Sequence, residues 1–261
     1  LMSESDSEEE ITVVLPDESE LKVNAGATVE DCAYEIGAGL GNDTVAGKLD
    51  GDLVAKEERV YDSAELEIVT SGSREYIKVM RHSAAHCLAQ SVKRHYENVE
   101  LAIGPPTDEG FYYDFDNLDI DEDELDKLER EMEKIIEADY EIEREAEERI
   151  ADEPYKLELL EEFAEEDDTV TFYSQGEWED LCAGPHVGST GEIGSVKLLE
   201  IAGAYWRGNE ENPMQTRIYG TAFQDESDLE DFLKRKREAE KRDHRRIGTE
   251  MNLFSIQGVT G

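Results

Sequence analysis

The chain has 261 residues, with 67 acidic against 26 basic side chains, a net charge of −41, and only 38% hydrophobic residues. That length allows one or two domains with a real core, and the acidity excludes a protein that draws nucleic acid by its overall charge, leaving any RNA contact to local positive surface. Charge this dense opposes compaction in dilute buffer but is screened at molar salt, where the Debye length is about 3 Å, so the composition is that expected of a globular protein in a salty cytoplasm. The first ten residues, "LMSESDSEEE", are expected to form a disordered tail. From Ile11 to Val23 apolar residues alternate around "LPDES", the pattern of a hairpin. In "TVEDCAYEIGAGL" Val29, Cys32, Ala33 and Ile36 recur at helical spacing, with Thr28 as N-cap and Gly37 as stop. Short strands follow in "VAGKLDG", "DLVA" and "ELEIVTSG", so residues 11–72 read as a small ubiquitin-like β-grasp domain.

A second, larger α+β unit is expected over residues 73–226. It opens with a helix on which His82 and His86 fall on one face with Ala89 and Lys93, away from the centre of an apolar stripe of Leu88, Val92 and Tyr96. "AIGPPTDEGFYYDFD" reads as a loop and a strand, and Leu125, Leu128, Met132, Ile135 and Ile136 mark an amphipathic helix. "YEIEREAE" alternates weakly, and "EERIADEPYKLELLEEF" has a helical pattern. "TVTFYSQG" is a strand leading to a Gly/Pro loop, and "SVKLLEIAGAYWRG" pairs with "MQTRIYGTAF". A last helix, over 227–261, is expected to be capped by Ser227, and it places eight cations between Lys234 and Arg246. Positive charge late in a helix is favoured by the dipole and also offers a contact for RNA or another domain.

Two pairs of residues four apart stand out in a chain with five histidines. His82 and His86 project side by side from a helix. Cys182 and His186 lie in "EDLCAGPHVGSTGEIG", a stretch poorly suited to filling a core, and can close over the same point from the other side. One thiolate and three imidazoles make a tetrahedral zinc set. They equally make a cluster that moves protons to and from water near neutral pH. Composition leaves both readings open, and the absence of Glu within the HxxxH excludes the HExxH protease arrangement. Cys32, Cys87 and Cys182 are odd in number and scattered, which reads as reduced thiols. Cys32, Cys87, His95 and His244 are most simply structural or solvent-facing. No run of about 18 apolar residues occurs and the N-terminus is unlike a signal peptide, so a cytoplasmic protein without a membrane span is expected.

The segments "RHSAAHCLAQSVK", "AIGPPTDEGFYYDFD", "DLCAGPHVGSTGEIG", "IAGAYWRG", "RIYGTAF" and "EKRDHRRIGTEMNLF" resemble, in that order, the N-terminal half of bacterial-type threonyl-tRNA synthetases. The segment from "ITVVLPDESELKV" to "ELEIVTSGS" is similar to the TGS domain that opens those enzymes, and the acidity points to a halophilic source. The resemblance implies a TGS domain, an editing domain that hydrolyses serine wrongly attached to threonine tRNA, and a linker helix towards a catalytic core. The fragment is then expected to edit but not to aminoacylate. Its partners would be the acceptor end of tRNA(Thr) carrying serine and the catalytic and anticodon-binding domains of a full-length, homodimeric enzyme.

By position, the resemblance carries catalytic roles onto His82, His86, Lys156, Asp180, Cys182 and His186. Tyr113 and Asp114 match the strand beside the pocket, and Trp206 a pocket wall or core aromatic. Backbone amides near Gly184 and His186 are expected oxyanion donors. His82, assisted by Lys156, would hold the attacking water, with Asp180 orienting a partner or binding the serine amine. The resemblance implies a reaction that requires no metal, although related alanyl-tRNA editing domains use the same HxxxH and CxxxH set as ligands, so zinc at His82, His86, Cys182 and His186 is the alternative. Ala183 stands where the family pattern has arginine, which alters one wall of the site facing RNA phosphate. A non-catalytic tRNA-binding module and a freestanding editor are the competing functions.

Overall fold

The computed structural model describes residues 10–145, 155 and 171–242. The expected N-terminal tail therefore lies outside the described residues, except that Glu10 opens the first strand. Strands β1 (Glu10–Val14) and β2 (Glu20–Asn24) form the hairpin, in register from Glu10 opposite Asn24 to Val14 opposite Glu20. β3 (Ala27–Thr28) leads into helix α1 (Val29–Ile36), where Thr28 accepts from the Asp31 amide and Asp31 accepts from the Thr28 amide, a reciprocal capping box. Gly37 ends that helix, and a short α2 (Ala38–Asp43) follows. β4 (Thr44–Leu49) pairs antiparallel with β5 (Asp52–Ala55) and with β7 (Leu66–Thr70), while β6 (Arg59–Val60) pairs with β3. Val13, Val23, Val29, Cys32, Val60 and Leu66 close a first apolar core.

The second unit is built on an antiparallel sheet in the order β13-β14-β9-β8, from β8 (Glu100–Leu101), β9 (Phe111–Asp116), β13 (Ser195–Tyr205) and β14 (Met214–Phe223). Helices α3 (Tyr76–His95) and α4 (Leu125–Glu137) pack together, α3 against β9 and β14 and α4 against β13. Leu125, Leu128, Met132 and Ile135 face inward from α4, as their spacing requires. This main core also takes in Ala46 and Val69 of the first unit, so the two units share apolar surface. A smaller antiparallel sheet, β10 (Ile142–Glu145), β11 (Phe172–Gln175) and β12 (Trp178–Leu181), carries the Cys/His loop. A final helix, α5 (Glu226–Lys241), lies beyond β14.

Three local expectations differ from what is observed. α3 is not amphipathic: residues from Val79 to Val92 are buried on nearly every face. Ser83, Ala84, Ala85, Ala89 and Ser91 are small enough for neighbours to approach all round, and Ser91 Oγ donates to the Leu128 carbonyl at 2.9 Å. The strand "TVTFYSQG" does not run directly into the loop. Gly176, at φ 60°, turns the chain and adds β12 before Cys182. Ser227 lies inside the first turn of α5, which starts one residue earlier.

Candidate functional site

α3 and the end of β12 bring four side chains to one point. The ligand atoms of His82, His86, Cys182 and His186 all lie within 4.8 Å of one another. The ring centroids of His82 and His86 stand 4.3 Å and 4.2 Å from that of His186. Cys182 Sγ lies 3.2 Å from His82 Nε2 and 3.4 Å from His186 Nε2, and it accepts the Gly184 amide at 3.3 Å. His86 and His186 are buried, whereas His82 and Cys182 are partly open, which makes these last two the reachable edge of the cluster.

The hydrogen bonds fix how the rings are used. The Pro185 carbonyl can only accept, so His82 donates from Nδ1 at 3.2 Å and the neutral ring keeps its lone pair on Nε2, towards Cys182. Ser83 Oγ lies 3.1 Å from His186 Nδ1, accepts the Val187 amide at 3.1 Å and donates to the Val79 carbonyl at 3.2 Å. With its one proton on Val79, the hydroxyl receives N–H from His186, which leaves His186 Nε2 as the acceptor facing the sulfur. Burial first, then the nearby His86 and His82 rings, hold His186 well below the ordinary imidazole range.

Asp180, the residue two before the cysteine, is buried and lies 3.9 Å from His86 Nε2. Its Oδ2 accepts from Tyr113 Oη at 2.7 Å. Tyr113 is fully buried, so it reaches the cluster through Asp180. Asp114 points to the other face of the strand, where Arg217 holds both its oxygens, at 2.6 and 2.7 Å. Trp206 packs with Tyr155 and Ala102 in a separate buried group. Gly184 adopts φ 72° and precedes a cis peptide to Pro185; a Cβ there would strike the Tyr173 hydroxyl. Its amide is turned to Cys182 Sγ, so the expected oxyanion donor is engaged with sulfur. Lys156 lies outside the described residues. Thus His82, His86, Asp180, Cys182, Gly184 and His186 come together, Tyr113 joins through Asp180, and Asp114 and Trp206 stand apart.

Two contributors have only faint signals in the sequence. Ser83 sits between the paired histidines, where a small polar residue in a buried helix is a hint. Trp178 meets the His86 ring edge-on, with centroids 5.1 Å apart. Of the remaining histidine and thiols among the described residues, His95 is exposed, 3.5 Å from Glu131, and Cys32 and Cys87 are buried.

Four nitrogen and sulfur donors at this spacing also suit a metal. Tetrahedral zinc bonds of 2.0–2.3 Å place ligand atoms roughly 3.3–3.8 Å apart; Cys182 Sγ stands 3.2 and 3.4 Å from the His82 and His186 nitrogens, in a set whose donor atoms all lie within 4.8 Å.

Residues 11–70 match the family model described as the TGS domain. Residues 170–219 match the one described as the threonyl and alanyl tRNA synthetase second additional domain, a span that includes Asp180, Cys182 and His186 but not the histidine helix. Curated relatives named threonine–tRNA ligase include that of Natronomonas pharaonis, 59% identical over 97% of this chain and 40% of the relative. The ligase of Halobacterium salinarum is 55% identical over 96% of this chain and 40% of the relative. That of Pelobacter propionicus is 45% identical over 96% of this chain and 41% of the relative. The chain spans about 40% of the length of the relatives it matches, and halophiles stand among the most similar of them.

Proposed function

From the premise that this chain belongs to the threonyl-tRNA synthetases, as their TGS and second-additional-domain region, we propose that it hydrolyses serine mis-attached to threonine tRNA. We assign residues 11–72 to the TGS domain, 73–226 to the editing domain and 227–261 to a linker helix. A synthetase that must separate threonine from serine gains only about 1–3 kcal/mol from one methyl group. A second site that accepts the smaller product removes the error. The observation that carries this reading is the cluster of three imidazoles and one thiol, in which His82 presents Nε2 beside Cys182 Sγ at the partly open edge.

In the proposed reaction a water next to His82 gives its proton to Nε2 while its oxygen bonds to the ester carbonyl carbon. The ester C–O bond then breaks, the proton passes to the departing ribose oxygen, and serine and tRNA with a free terminal hydroxyl are released. His86, oriented from Asp180 and Tyr113, and His186, held by Ser83, position water and substrate. Cys182 lies between the His82 and His186 nitrogens and narrows the space beside the carbonyl. Lys156 is assigned the assisting cation. The substrate is the tRNA acceptor end, and no described helix is long and apolar enough to cross a membrane.

The spacing of the four donor atoms favours a second reading, in which His82, His86, Cys182 and His186 hold zinc. Bound there, zinc would supply a Lewis acid and lower the pKa of water. The test is deacylation of Ser-tRNA(Thr) and Thr-tRNA(Thr) by this chain in high salt, with and without chelator. Preferential loss of serine supports the reading, abolition by chelator selects the zinc form, and an ester left intact selects a tRNA-binding module.

A further inference from the structure

Behind the Cys/His loop the protein is not packed solid. A cavity of about 320 Å³ lies between the first unit and the small sheet, and Pro185, His186, Val187 and Gly188 line it from the loop side. A segment with open space at its back does not owe its position to close packing there, so it depends on the individual side chains that touch it. Ser83 is one, holding the His186 ring and the Val187 amide. Tyr173, on the wall of the same cavity, is a second.

Tyr173 meets the loop at two points. Its ring stands edge-on to the His186 ring, with centroids 4.4 Å apart. Its hydroxyl lies against Gly184, where any larger residue would carry its Cβ. Gly184 is at φ 72°, and its amide donates to Cys182 Sγ at 3.3 Å. Tyr173 is also directly opposite Arg144 on β10 and Asp180 on β12, so the three side chains form one row on one face of the small sheet. Arg144 at one end stands 3.4 Å from Glu58 of the first unit, and Asp180 at the other accepts from Tyr113 of the main sheet. The row joins three parts of the molecule, and its middle member touches the loop.

Tyr173 Oη is buried and has no hydrogen-bond partner. Burying such a hydroxyl costs stability, so what the phenol gives the loop is shape. It fills the space beneath Gly184 and keeps the His186 ring from dropping towards the cavity.

We propose that Tyr173 is a positioning residue of the deacylation site, setting Cys182 through Gly184 and His186 through its ring edge. Its rate effects rest on the deacylation reading, whereas its hold on the His186 ring does not.

The test compares Tyr173→Leu, Tyr173→Phe and Gly184→Ala, and Gly184→Ala in the Tyr173→Phe background, all at high salt with chelator. Tyr173→Leu should lower kcat for Ser-tRNA(Thr) hydrolysis about tenfold or more while KM changes less than about threefold, because small displacements of reacting groups are costly in rate. Tyr173→Phe keeps the ring edge and should retain at least about a third of the parent kcat, with no fall in urea midpoint. Gly184→Ala should cost less, in rate and in midpoint, in the Tyr173→Phe background than in the parent, because the hydroxyl it strikes is gone. Nitrogen NMR of histidine-labelled protein reads the ring without activity: His186 should be the Nδ1–H tautomer in the parent and in Tyr173→Phe, and a mixture in Tyr173→Leu. If the parent leaves the ester intact, the deacylation reading fails and the tautomer decides on Tyr173. If Tyr173→Leu does not fold by far-UV circular dichroism, the Gly184→Ala pair decides. The proposal is overturned if Tyr173→Leu keeps the parent kcat or, with no hydrolysis to measure, the parent tautomer. It is equally overturned if Tyr173→Phe loses as much rate as Tyr173→Leu, or if Gly184→Ala costs the same in both backgrounds.

Discussion

The Pro185 carbonyl accepts the Nδ1–H of His82 at 3.2 Å, across 103 positions of sequence, and thereby directs the lone pair of a helix histidine towards Cys182 Sγ, at the partly open edge of the cluster. A general base needs its free nitrogen pointed at the water it deprotonates. Removing the ring by His82→Ala is therefore expected to lower the single-turnover rate of Ser-tRNA(Thr) hydrolysis by roughly 10²–10⁴-fold. The melting temperature should change little, because His82 is only partly buried. Full activity in that variant would remove His82 from the chemistry.

Ser83 serves three groups at once, the His186 ring, the Val187 amide and the Val79 carbonyl. Ser83→Ala leaves the Val187 amide and His186 Nδ1 without their shared acceptor in a fully buried place. The expected cost is about 1–3 kcal/mol of unfolding free energy, read from urea midpoints, together with slower hydrolysis as His186 loses its fixed tautomer. A variant as stable as the parent would show that the hydroxyl does not organise the loop.

The features legible in the sequence are those whose cause is local. Thr28 and Asp31 are three apart, so their capping box could be anticipated, and Gly37 ends the helix as a stop signal should. The paired strands β13 and β14 likewise follow from their own residues. What escaped depends on partners distant in the chain. The burial of α3 on nearly every face is not legible in its residues, because it is decided by what packs on the helix and not by its own period. The hydrogen bonds of Tyr113 to Asp180 and of Ser83 to His186 span 67 and 103 positions and leave no mark on local composition. The histidine and cysteine pairs were visible because residue type and spacing were unusual, and the approach of their side chains follows from the sheet and helix that carry them.

Tyr113 tests whether Asp180 is held by its phenol. Tyr113→Phe preserves the ring, which stacks on Phe115 with centroids 4.9 Å apart, and deletes only the donor to Asp180. Asp180 is buried, so losing that 2.7 Å bond should cost about 1–3 kcal/mol of stability. Hydrolysis should slow as well, since Asp180 faces His86. Unchanged denaturation and unchanged rate together would leave Asp180 anchored by other contacts.

Buried groups with shifts of opposite sign shape the pH dependence of folding. His186 is held below the ordinary imidazole range by burial and by its two histidine neighbours. The unfolded chain takes up that proton as pH falls through about 6.5. Stability from this group is thus complete above that pH and declines below it, towards the lower folded value. Burial pushes the Cys87 thiol up to about 12 from an ordinary value of 9.0. Here the native state keeps a proton that the unfolded state gives up, so stability is complete below about pH 8.5–9 and falls as pH rises towards the folded value. Urea midpoints at constant high salt should therefore peak between about pH 7 and 8.5, and Cys87→Ala should lessen the alkaline decline, leaving the part due to Cys32, which burial likewise pushes up to about 11, and leaving the acid side in place. Midpoints that climb steadily from pH 8 to 10 would contradict the burial assigned to that thiol.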